Sequence, residues 1–110
     1  MITWEVMQMS DKVYSIDELK EKMQEILSEF AIEEAILFGS YAKGVADEKS
    51  DIDLVVRFPE KFSALRFFGL LEILTTTLEK PIDLIEYSDI VKDGKIEKEL
   101  LKTGVVIYGK

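Results

Sequence analysis

The chain has 110 residues, with 14 Lys and Arg against 22 Asp and Glu for a net charge of −8, and it contains neither Cys nor His. That length is one domain's worth, and the missing Cys and His exclude disulfides, thiolate zinc sites, Ser-His-Asp triads and cysteine nucleophiles. Any catalytic metal would need oxygen ligands, which favours Mg²⁺ or Mn²⁺. An acidic domain is a poor partner for nucleic-acid polymers, because neutralising their phosphates takes Lys and Arg, but it suits a basic protein surface. No apolar run approaches the ~18 residues of a membrane span, and the first residues, Met-Ile-Thr-Trp-Glu-Val, lack the basic region of a signal peptide. The expectation is a folded cytoplasmic protein that binds no membrane.

In chain order, Ile2, Trp4 and Val6 alternate with polar residues, the pattern of a short strand. Residues 1–13 are read as an extension carrying this extra edge strand, and residues 14–110 as the domain proper. Ser15-Ile-Asp-Glu18 is a capping box. It opens a helix to about Phe30, with Leu19, Met23, Ile26, Leu27 and Phe30 at helical spacing. Ala35 to Phe38 reads as a buried strand ended by Gly39, Tyr41 to Gly44 as the beginning of a short helix, and Val45 to Ser50 as a polar loop. Ile52 to Phe58 is the clearest strand, stopped by Pro59. A helix follows from Ser63 to Lys80, then a strand over Pro81–Tyr87, where the missing proline N–H is tolerated at the strand start. One turn is expected over Asp89–Val91 and a helix over Lys95–Lys102, with Gly104 as a left-handed cap. Val105 to Tyr108 is a last strand. Strands interleaved with helices predict an α/β (α+β) domain, a small mixed sheet flanked by helices.

The chemistry-bearing residues cluster in Gly39-Ser40 and, after ten intervening residues, Asp51-Ile52-Asp53. On a strand, positions two apart project to one face, so Asp51 and Asp53 could grip metal together while Ile52 and Leu54 face the core. Carboxylates in so apolar a strand are costly unless they bind something. Gly39 lets the backbone approach a ligand, and the following turn with Ser40 suits phosphate. Asp83, alone in Ile82-Asp83-Leu84-Ile85, is the candidate third carboxylate if its strand lies beside Ile52–Phe58. Two metal ions so held would activate an attacking oxygen and stabilise a leaving one. Glu86 has the wrong parity to replace Asp83. Lys43 and Lys49 could reach phosphate or be surface lysines. Arg57, on the same strand face as Asp53, could contact phosphate, steady the carboxylates or serve at the surface.

The run Leu37-Phe38-Gly39-Ser40, ten residues, Asp51-Ile52-Asp53-Leu54 resembles the signature of the DNA polymerase beta superfamily of nucleotidyltransferases. From about Ser15 to Tyr108 the chain is similar to the smallest branch, the minimal nucleotidyltransferases that act as antitoxins beside HEPN-domain toxins. The resemblance implies that Gly39 and Ser40 hold a nucleoside triphosphate, with Lys43 where relatives often carry Arg. It also implies that Asp51, Asp53 and Asp83 bind Mg²⁺, with Asp83 helping to activate the acceptor hydroxyl. It further implies that AMP passes from ATP to a hydroxyl, a tyrosine's, on a HEPN ribonuclease toxin. Two other readings stay open: a non-catalytic antitoxin that masks its toxin, and a transferase acting on small molecules such as aminoglycosides.

A single catalytic domain leaves the acceptor side of such a site poorly enclosed, so a partner should complete it. The helix over Ser63–Lys80 supports this. Phe67, Leu70, Leu71, Ile73, Leu74 and Leu78 form a wide apolar face, while Leu65 and Phe68 fall on another side. That second side would bury against a partner protein or a second copy in a homodimer, or the helix is simply deep in a small core.

Overall fold

The computed structural model describes residues 11–59 and 63–109. The strand expected over residues 2–7 lies outside them. Helix α1 (Ile16–Glu29) starts at the predicted capping box: Ser15 Oγ accepts from Glu18 N, and Glu18 Oε1 accepts from Ser15 N. Its stripe of Leu19, Met23 and Leu27 is fully buried. Strand β1 (Glu34–Phe38) runs directly into the short helix α2 (Gly39–Lys43), which therefore begins two residues earlier than expected. Gly44, left-handed at φ 76°, ends it.

Strand β2 (Ile52–Arg57) pairs antiparallel with β1. Helix α3 (Ala64–Leu78), capped by Ser63, then carries the chain back so that β3 (Ile82–Glu86) lies parallel to β2. Parallel neighbours require such a crossover. A 3₁₀ turn occupies Tyr87–Asp89, two residues before the expected turn, because Glu86 caps it by accepting from Ser88 N. Helix α4 (Lys95–Thr103) leads into β4 (Val105–Gly109), antiparallel to β1. The sheet order is β3-β2-β1-β4, the mixed sheet expected.

The core forms where α1 and α3 pack on one sheet face, over Ala35, Leu37, Ile52, Leu54, Val56, Leu84 and Ile107. Burying an aliphatic side chain of this kind contributes roughly 1.5–3 kcal/mol. Strict alternation sends Asp53, Val55 and Arg57 to the other face.

Two expectations need correction. Gly104 is extended (φ −63°, ψ 141°) rather than left-handed. It is a glycine because a Cβ there would press on the Leu100 carbonyl and on Ile36, so it lets α4 sit close to β1. Ile73 does not join the buried face of α3: it is 41% exposed, while Leu70, Leu74 and Leu78 are sealed. The narrower stripe reflects a helix covered on one side by α1 and the sheet. Leu65 and Phe68, at 85% and 61% exposure, do lie outside it.

Candidate active site

Register builds the site. In the β1–β2 ladder Phe38 stands opposite Asp53, and in the β2–β3 ladder Asp53 stands opposite Asp83. Directly paired residues of neighbouring strands share a face, so the parallel pairing of β3 with β2, the condition on which the sequence reading of Asp83 depended, brings the two carboxylates together. Gly39, next after Phe38, is buried with φ +75°. A side chain there would be strained, and its Cβ would overlap Asp53 Oδ2. The glycine is thus needed twice: for its backbone conformation, and because the Asp53 carboxylate rests against its bare α-carbon. Ser40 is half-buried in the first turn of α2, beside this junction.

The Asp53 carboxyl is pushed up to about 6, by burial first and then by the negative charges of Asp83 and Asp51, by a hydrogen bond with Asp83, and by Glu99. Burial and neighbouring like charges raise proton affinity in this way, and such sites concentrate at functional centres. Asp51 lies just before β2 and is exposed, at the rim of the pair. Asp83 is also exposed.

Among the described residues, no group of three or more acidic side chains converges into a ready-made metal cage. Mg²⁺ is usually held by one or two carboxylates plus substrate phosphates and water, and Asp53 and Asp83 are the carboxylates that the register pairs. The donor set, oxygen only and electrostatically repelled, fits a divalent cation.

Lys43 is exposed and pairs with Glu99 of α4 at 3.6 Å. Glu99 also adds to the negative field at Asp53. No sequence signal marked Glu99, because only the packing of α4 beside α2 brings it there. Lys49 stays in the loop, its N–H donating to Asp47 Oδ1. Arg57 takes the surface alternative: it lies at the far end of β2, paired with Glu34 at 3.3 Å and stacked 3.8 Å over the Tyr87 ring. Glu86 turns away from Asp83, is buried, and accepts from Ser88 N and Oγ.

A mixed sheet carrying an Asp pair beside a Gly-Ser turn is the arrangement of a nucleotidyltransferase. The family model for polymerase beta nucleotidyltransferases matches residues 21–110, and the chain belongs to this family. It is 38% identical over 84 residues to the protein adenylyltransferase MntA of Thermococcus cleftensis, covering 76% of this chain and 83% of that protein. A relative in Methanocaldococcus jannaschii is 38% identical over 76 residues, covering 69% of this chain and 82% of that protein. The fold is shared with a toxin–antitoxin crystal structure containing AMP-PNP (TM-score 0.71, 22% identity, 83% of this chain and 73% of that one). It is also shared with a complex of an MNT antitoxin and a tri-AMPylated HEPN toxin from Shewanella oneidensis (TM-score 0.67, 18% identity, 86% and 73%). Among the described residues, no helix is long and apolar enough to cross a membrane.

Proposed function

We propose that this nucleotidyltransferase is an antitoxin that transfers AMP from ATP to a tyrosine hydroxyl of a cognate HEPN ribonuclease toxin and so silences it. The observation that carries the reading is Asp53, register-paired with Asp83 and packed against the bare α-carbon of Gly39. The acceptor reading is supported by the relative named protein adenylyltransferase and by the fold shared with an AMPylated toxin complex.

Asp51, Asp53 and Asp83 would hold Mg²⁺ or Mn²⁺, which when bound offsets phosphate charge and lowers the proton affinity of an attacking oxygen. Gly39 and Ser40 orient the triphosphate, the first by close backbone approach and the second through its hydroxyl. Lys43 exchanges Glu99 for a phosphate oxygen. Asp83, the more open of the pair, would receive the proton of the acceptor hydroxyl. The hydroxyl oxygen bonds to the α-phosphorus, the bond to the bridging oxygen breaks, and pyrophosphate leaves.

A masking contribution has its own support in the exposed Leu65 and Phe68 of α3. The test is incubation with ATP labelled at the α-phosphate, Mg²⁺ and the product of the neighbouring gene. Label is expected on that partner and absent with Asp53→Ala. Label on neither protein would sink catalysis for the pair. Full neutralisation of the partner by Asp53→Ala would leave masking as the function.

A further inference from the structure

Lys80 is only 1% exposed. Lysine is almost never buried to this degree, because removing its ammonium from water costs several kcal/mol unless its donors are met. Its Nζ donates to the main-chain carbonyl of Glu48, 2.8 Å away and 32 residues earlier in the chain.

Glu48 belongs to the loop between α2 and β2, which is braced internally. Asp47 N donates to Ser50 Oγ, Lys49 N to Asp47 Oδ1, and Ser50 N to the Asp47 carbonyl. The next tie comes at Ile52, whose N–H donates to the Pro81 carbonyl at 3.0 Å. Two consecutive residues, Lys80 and Pro81, therefore bind the chain on both sides of Asp51, at 48 and at 52. Three residues beyond Lys80, β3 presents Asp83.

We propose that Lys80 is a positioning residue of the active site: its buried ammonium ties the 45–51 loop to the start of β3 and so sets Asp51 against the Asp53–Asp83 pair. The inference rests on the nucleotidyl-transfer reading of those carboxylates. Its physical content is that a side chain touching neither nucleotide nor acceptor governs how well the site takes a divalent cation. Partners that orient metal-holding groups typically change metal affinity by about 10–100-fold when removed.

Two measurements on the full chain test it. The first is hydrogen exchange without nucleotide. Lys80→Met keeps the apolar stem but removes the donors, and should cut protection at the Asp47, Lys49 and Ser50 amides by about tenfold beyond any change at β1 and β4. The second is the Mn²⁺ concentration that half-saturates the chain in the presence of a non-hydrolysable ATP analogue, read from the Mn²⁺ paramagnetic signal. It should rise about tenfold with Lys80→Met and return toward the wild-type value with Lys80→Arg. Glu48→Ala should leave both readings unchanged, since the acceptor is a main-chain carbonyl.

Should Lys80→Met fail to fold, Lys80→Gln, which keeps one donor arm, takes its place in both measurements. Unchanged loop exchange overturns the tether, and unchanged Mn²⁺ half-saturation overturns the positioning role. A wild-type chain that binds Mn²⁺ with the analogue but transfers no AMP overturns the proposed acceptor chemistry and leaves this inference to its own two results.

Discussion

The two ends of the outward face of β2 are built on opposite electrostatic plans. At the Arg57 end opposite charges meet: the guanidinium pairs with Glu34 at 3.3 Å and lies over the Tyr87 ring. At the Asp53 end, four positions away and so roughly 13 Å along the strand, the charges repel. Asp53, Asp83, Asp51 and Glu99 share one neighbourhood, with Lys43 paired to Glu99 at 3.6 Å. One end holds the sheet together. The other keeps a charge imbalance that a cation and a triphosphate can relieve, which is how functional sites commonly depart from the stability optimum.

Removing the imbalance should have the largest effect. Asp53→Ala is expected to lower AMP transfer about 10³-fold or more, because the several kcal/mol of charge stabilisation that passes through this carboxylate is lost. Single-turnover rates at saturating ATP check it, and a loss under tenfold would mean that the charged end is not the reacting one. Gly39→Ala comes next. With φ +75° and its Cβ directed at Asp53 Oδ2, it should destabilise the fold by about 1–3 kcal/mol in urea unfolding. Transfer should fall as well, since the carboxylate must move aside.

A third prediction turns the imbalance into a stability difference. Asp53 binds its proton more tightly folded (about 6) than at the ordinary 3.8. The folded state is therefore favoured below pH 4 and loses that advantage as pH rises through 6. Without divalent cation, Asp53→Asn should match the wild type near pH 3.5 and exceed it by about 1 kcal/mol at pH 8, after allowance for solvent screening of a half-exposed carboxyl. Thermal unfolding across that range decides it, and excess Mg²⁺ with ATP analogue should erase the gap. The smallest effect belongs to the balanced end. Arg57→Met should cost about 0.5–1 kcal/mol, as expected of a partly exposed ion pair with a stacking contact, and leave the KM for ATP unchanged. A severalfold rise in KM would show that the two ends are coupled.

Most elements were legible because their signals are local. The capping box at Ser15, the alternation through Ile52–Arg57 and the apolar runs at β1 and β3 depend on neighbours within a few residues. The candidate site was legible for the same reason, as Gly39-Ser40 and Asp51-x-Asp53 lie at fixed spacing and Asp83 is a lone charge in an apolar strand. The misreadings arose where a distant element intervenes. Gly104 looked like a left-handed cap, yet its missing side chain makes room for Ile36 of β1. Ile73 shared the helical spacing of the buried residues, but α1 and the sheet cover only one side of α3. Glu99 carried no signal, since its place depends on how α4 packs beside α2.

The sequence by itself determined which residues could do the chemistry, because strand parity and a glycine-bounded turn are properties of short stretches of chain. Tertiary structure alone decided which of them meet. The parallel crossover through α3 put Asp83 opposite Asp53, the same stagger sent Arg57 to the other end with Glu34, and the buried Lys80 ammonium reached across 32 residues to the loop before Asp51. These are long-range pairings set by the packing of a shared core, and no local pattern encodes them.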